Sequence, residues 1–173
     1  EAQTTRVVIL DAVKALLSGK AGYNIELGLG GTSSGDDRYE VGLRTYEDVE
    51  NYLSSYRTGT TDYTVGLNNA LKAAQAAKQG GRTPIVIWLS DFHQAFTGSA
   101  VRRTGDYAIA DQLHAIAPVY GLSTDYRGGA TVRNVLGTEW ATRIFPMRQG
   151  MLDEGIESMQ NIIWDAIGYY MKD

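Results

Sequence analysis

The 173-residue sequence predicts an α/β fold, a three-layer α/β/α sandwich around a mostly parallel sheet with one antiparallel edge strand. Three observations predict it. Helical periodicities alternate with short apolar runs along nearly the whole chain, the order that builds a parallel sheet covered by helices. Residues 83–89 (TPIVIWL) are a continuous apolar run, as expected of a strand with both faces buried. Residues 23–43 hold two short alternating segments around a Gly-rich turn, a hairpin that supplies the antiparallel strand. No internal repeat, low-complexity tract or linker interrupts the pattern, so residues 1–173 read as one domain.

Each element has its own signal. In residues 4–18, Ile9, Leu10, Val13, Leu16 and Leu17 recur at helical spacing and Gly19 stops the helix. Residues 23–29 (YNIELGL) alternate as a strand, 30–37 (GGTSSGDD) are turn chemistry, and 39–43 (YEVGL) form a second strand. Thr45 caps the next helix, with Glu47 and Asp48 in its first turn, where negative charge suits the helix dipole. Its apolar stripe is Tyr46, Val49, Leu53 and Tyr56, and Tyr52 is also expected in or near the core. A polar loop, RTGTTD, enters a helix that turns Leu67, Ala70, Leu71, Ala74 and Ala77 inward and ends at Gly80 and Gly81.

After the strand at 83–89 a polar loop runs to about residue 106. Residues 107–116 predict a helix on Ile109, Leu113 and Ile116, with His114 at its surface. Residues 118–122 (PVYGL) read as a buried strand, 123–138 as a Gly-rich loop and 141–145 (ATRIF) as the last strand. A long final helix carries Leu152, Ile156, Met159, Ile163, Ile167 and Tyr170.

Composition narrows the function. The formal net charge of −4 argues against nucleic acid as a partner, because such binders present a basic face. No run of 18 apolar residues is present, so nothing in the sequence predicts a membrane span. No signal peptide opens the sequence, although a processed chain would lack one anyway. The absence of cysteine removes disulfides, thiol nucleophiles and Cys-ligated zinc, and leaves the compartment open.

In an open α/β sheet, ligands bind beyond the carboxyl ends of the strands. Asp91 directly follows the most apolar strand, so a rigid element carries its carboxylate to that rim. The loop Thr58-Gly59-Thr60-Thr61-Asp62 enters a helix from the same side. Carboxylate and hydroxyl oxygens without a His or Cys cluster suit Mg²⁺, Mn²⁺ or Ca²⁺. Structural roles compete for each residue: a strand-end Asp also caps helices or pairs with a cation, Thr61 is a good N-cap, and Asp62 is a first-turn charge.

The segment TTDYTVGLNNAL (residues 60–71) resembles the von Willebrand factor A (vWA) segment in which a metal-binding Thr precedes Asp and a Leu falls six residues on; Thr61 and Leu67 match that spacing. The run IVIWLSDF (residues 85–92) resembles the family's apolar strand ending in a metal-site Asp, here Asp91, although Phe92 stands where the family usually has Gly. The element order matches as well, over nearly the whole chain. One departure is large: the family's Asp-x-Ser-x-Ser motif and the central strand before it are absent from the sequence. Thr61 and Asp91 are then two of the usual five protein ligand positions. Two oxygen ligands do not hold Mg²⁺ firmly, because the ion demands near-octahedral coordination.

The resemblance implies a protein-binding module for adhesion or assembly, not an enzyme, placed outside the cell or at its surface, with the cytoplasm as the alternative. Its cofactor would be Mg²⁺ (or Mn²⁺ or Ca²⁺), only if the missing motif is supplied from outside this chain. Its partner would be a protein offering an exposed carboxylate. The expected rim comprises Asp36, Asp62, Tyr63, His93 and Tyr126, with Tyr63 and Tyr126 as aromatic anchors; an exposed loop histidine of no special role is the competing reading of His93. The missing strand would lie between residues 23–29 and 83–89, filled by an upstream segment, a cleaved fragment or a neighbouring chain, unless those two strands pair directly. The alternatives are a metal-free vWA scaffold in a larger assembly, or a Rossmann- or flavodoxin-like enzyme. For the latter the sequence offers no Gly-Lys-Ser/Thr triplet and no Gly-x-Ser-x-Gly elbow, and its Gly-rich stretch at 28–35 leads into a strand, not a helix.

Overall fold

The structure is a computed structural model, and it describes residue 10, residues 27–30, 38–55, 62–90, 104–123 and 144–146, and helical positions 157, 161, 162 and 165. Its elements are β1 (Leu27–Gly30), β2 (Tyr39–Leu43), α1 (Tyr46–Ser54), α2 (Tyr63–Gln79), β3 (Val86–Ser90), α3 (Thr104–Ile116), β4 (Val119–Ser123) and β5 (Ile144–Pro146). The chain is mixed α/β. The strands form two sheets: β1 and β2 pair antiparallel, and β3, β4 and β5 run parallel in that order.

The hairpin is irregular for a local reason. Leu27 faces Leu43 but Leu29 faces Glu40, so two residues of β2 oppose one of β1. The extra residue is a β-bulge, and Gly42 takes the positive φ of 80° there that a side chain would resist. The bulge switches the faces. Tyr39 and Val41 sit beside Gly30 and Gly28 on one face, next to Asn69 and Ala73 of α2. Leu27, Leu29 and Leu43 face the other way, into a cluster with Val49, Tyr52 and Leu53 of α1, against which Leu10 also packs.

Helix α1 starts as its sequence predicts. Thr45 Oγ1 accepts from the Asp48 backbone N–H, and an Asp48 carboxylate oxygen accepts from the backbone N–H of Thr45, closing a capping box. Tyr46 is a correction: it is 40% exposed, because the first residue of this helix points away from the hairpin that Val49, Tyr52 and Leu53 cover. Tyr56 lies outside the described residues.

Around the parallel sheet, Tyr63, Leu67, Leu71 and Ala74 of α2 and Ala110 and Leu113 of α3 enclose Trp88 and Val119, with Val86 packed alongside. In β4, Tyr120 alternates with Val119 and so faces the other side. There it is fully buried, and its hydroxyl donates to Asp165 at 2.6 Å, at a helical position near the C-terminus. Ile162, in the same region, is also fully buried. The predicted helix residues Leu152, Ile156, Met159, Ile163, Ile167 and Tyr170 lie outside the described residues.

The strand expected at 83–89 begins at Val86. Pro84 has no backbone N–H to give to a ladder and restricts Thr83 before it. The ladder opens where the Val86 N–H donates to the Pro118 carbonyl at 3.0 Å. His114, expected at the surface, is half-buried, since α3 packs on α2 along this stretch.

Candidate functional site at the carboxyl edge

Strand direction follows from the packing of α2. Gly28 approaches Ala73 and Gly30 approaches Asn69, so α2 descends as β1 rises. The approach is close: a Cβ on Gly30 would stand 3.0 Å from that of Asn69. The first residue of α2, Tyr63, meets Trp88, the middle residue of β3, edge to face, with ring centroids 5.2 Å apart, and only residues 80–85 join the far end of α2 to Val86 at the start of the strand. Strand β3 therefore also runs opposite to α2 and parallel to β1. Gly30, Asp62 and Ser90 then share one edge, and Ser123 joins it through its register with Ser90. This is the carboxyl edge of the parallel strands, where α/β folds bind ligands.

The end of α1 reaches the same edge. Arg38, the residue before β2, donates from Nη1 to Ser55 Oγ at 3.0 Å and from Nη2 to the Ser55 carbonyl at 2.8 Å. Its guanidinium lies 5.4 Å from the centroid of the Tyr52 ring. Its own carbonyl accepts from Tyr52 Oη at 3.3 Å and Asn69 Nδ2 at 3.4 Å. Sequence reasoning missed Arg38, because nothing local marks an arginine after a turn as a bridge between two helices.

Asp62 is the N-cap of α2, with Oδ1 accepting from the backbone N–H of Thr64 at 3.0 Å and of Val65 at 3.4 Å. One of its carboxylate oxygens is thus committed to the helix. Thr61 is the residue before the cap and not the cap itself. Tyr63 is a second correction. At 2% exposure it belongs to the core against Trp88 and offers no aromatic anchor to a partner; the helix begins one residue earlier than a rim loop would allow. Thr61, Asp91, Asp36, His93 and Tyr126 lie outside the described residues. Two of them adjoin described ones: Thr61 precedes Asp62, and Asp91 follows Ser90. Among the described residues no group of three or more His, Asp or Glu stands ready to hold a metal ion. None of the described helices is long and apolar enough to cross a membrane.

The expected relation between the first hairpin strand and the apolar strand can be read in part. Among the described residues no ladder joins β1 to β3, although α2 packs on both; residues 23–26 lie outside the described set.

No known sequence family matches the chain, and no curated protein does. Among solved structures it is similar to the pilus adhesin SpaC from Lactobacillus rhamnosus GG in its open conformation, with a TM-score of 0.66 and 14% identity. That match covers 96% of this chain and 28% of the adhesin chain. At this identity the likeness is one of fold.

Proposed function

We propose that the chain is a protein-binding module of the vWA type, built as a three-layer α/β/α sandwich, that engages an acidic group of its partner at the carboxyl edge. The observation that carries this reading is the shared position of Asp62 and Ser90 at that edge. Thr61 and Asp91 each lie one Cα step, about 3.8 Å, from those residues. On this reading the two hard-oxygen residues of the sequence motif would be carried at the ends of neighbouring elements. The fold likeness to an adhesin agrees with a binding role at a cell surface.

A divalent cation with an open coordination position would attract the partner's carboxylate. Thr61 and Asp91 would supply two of its oxygens. They do not complete a Mg²⁺ shell, so the reading requires Asp-x-Ser-x-Ser from polypeptide outside these residues. The same polypeptide would place a strand between β1 and β3. A helix is about 10 Å across and strands stand about 4.8 Å apart, so two strands touched by one helix, with no ladder between them among the described residues, would have room for one more. Asp36, His93 and Tyr126 would line the rim through the loops that join described ends at this edge.

The test is a Mg²⁺ and Mn²⁺ titration of the parent polypeptide, followed by thermal shift, with Thr61→Ala and Asp91→Ala beside it. The expected result is cation-dependent stabilisation in the parent that both variants lose, with metal-free midpoints unchanged. A parent that ignores both cations would overturn the metal reading and leave a metal-free scaffold. Stabilisation by a nucleotide or flavin in the same assay would point to an enzyme instead.

A further inference from the structure

We infer that the corner between β2 and α2 is a docking groove for a helix of a partner protein, one whose apolar stripe is flanked by carboxylates. This surface is separate from the carboxyl edge and does not depend on the cation proposed there. Tyr39 and Val41 of β2 stand on one face of the hairpin and are 41% and 43% exposed. Two large apolar side chains two residues apart on one face make a continuous patch, unlike a single exposed residue.

Helix α2 runs beside this patch without covering it. Asn69 and Ala73 meet Gly30 and Gly28 of β1, while Tyr63, Leu67, Leu71 and Ala74 pack with Trp88 of β3. The helix thus reaches from β1 toward β3 and leaves Tyr39 and Val41 exposed, which puts β2 on the side of β1 away from β3. Each residue of a helix is turned about 100° from the last. Going round α2 from the β3 side past Asn69 and Ala73, the next positions reached are Ala76, Val65 and Lys72. These form the wall that rises beside Tyr39 and Val41. Val65 and Ala76 are half-buried and Lys72 is exposed, as the wall and the lip of a corner should be.

The dimensions select a helix. Packed helices lie about 8–10 Å apart and neighbouring strands about 4.8 Å apart. A helix seated against the wall of α2, which lies over β1, is therefore centred about two strand spacings from β1, and its near side rests on Tyr39 and Val41. Charge selects its flank. Helix α2 carries Lys72 and Lys78 and no carboxylate from Tyr63 to Gln79. Glu40 alternates with Tyr39 and Val41 and so points to the opposite face of the hairpin. A glutamate or aspartate of the partner would pair with Lys72 at the lip and fix its orientation. A second copy docked face to face across a two-fold axis would bring two such lips together, like charge against like.

The probes are two synthetic helical peptides with the same leucine stripe, flanked by glutamate in one and by lysine in the other. Amide chemical shifts of the isotope-labelled protein locate binding, and their dependence on peptide concentration gives affinity. The expected result is binding of the glutamate peptide about tenfold tighter than the lysine peptide, with shifts gathered at residues 39–41, 65, 72 and 76. Lys72→Glu should reverse the preference, and Val41→Asn should weaken both peptides. Both positions are exposed, so neither variant should move the melting midpoint.

Absence of binding, equal binding of the two peptides, or shifts gathered on another surface would overturn the inference. So would a preference that Lys72→Glu leaves unchanged. A concentration-dependent dimer in sedimentation that Val41→Asn abolishes would overturn it as well, and would give the corner to a second copy of the chain.

Discussion

Replacing Asp62 by alanine tests the assignment on which the candidate site turns. Asp62 Oδ1 accepts from two of the N–H groups that open α2, at 3.0 and 3.4 Å. Those donors have no partner within the helix, and losing an Asp cap costs about 0.5–2 kcal/mol. The upper half of that range applies, because the next residue, Tyr63, is buried and the helix end is held against Trp88. For a domain of this size about 1 kcal/mol moves the melting midpoint by about 2–4 °C, so Asp62→Ala should lower it by about 2.5–8 °C. Asp62→Asn retains the acceptor oxygen and should stay within about 0.5 kcal/mol of wild type, since Asn caps as well as Asp. Urea denaturation monitored by circular dichroism measures both. An alanine variant as stable as wild type, or an asparagine variant as damaged as alanine, would refute the cap. In the latter case the negative charge would be what the protein needs.

Three further expectations follow from the packing and from one ionised cap. Gly30→Ala places a methyl 3.0 Å from the Asn69 Cβ, so α2 must shift from β1; the expected cost is about 1–3 kcal/mol by denaturant melt, with a cost near zero showing that the helix yields freely. Tyr120→Phe removes the donor to Asp165 from a fully buried ring, and should lose about 1–2 kcal/mol and speed amide exchange around residues 157–165 while β3 stays protected. Asp48 is held below its ordinary value of 3.8, first by the backbone N–H of Arg44 and then by the Thr45 side chain and backbone. Its folded pKa is depressed, so its contribution is fully present above that value and fades as pH falls through the folded pKa; a pH titration should show α1 loosening only in acid, and Asp48→Asn should flatten that dependence.

Local chemistry was legible without coordinates. The Thr45 capping box depends on residues three apart, and the chain alone specifies it. The stop of α2 at Gly80, the inward row of Leu67, Leu71 and Ala74, and the antiparallel pairing of 39–43 with the preceding strand likewise follow from short-range periodicity and turn chemistry. The parallel order of β3, β4 and β5 agrees with the alternation of helices and apolar runs.

Tertiary structure decided what depends on residues far apart in sequence. Thr61 and Asp62 are both good caps, and the helix starts after Asp62 because burying Tyr63 on Trp88 fixes that turn. The same contact takes Tyr63 from the rim into the core. The bulge at Gly42 turned the expected alternation of β2 into a switch of faces, since one extra residue inverts which side chains point inward. Arg38 gained its contacts with Ser55, Tyr52 and Asn69 only when β2, α1 and α2 met at one edge. A sequence sets which residues can cap, turn or alternate, because those choices involve neighbours a few bonds away. Which of several competent residues is used is settled by packing, where burying a ring or satisfying a distant carbonyl outweighs a local preference worth about 1 kcal/mol.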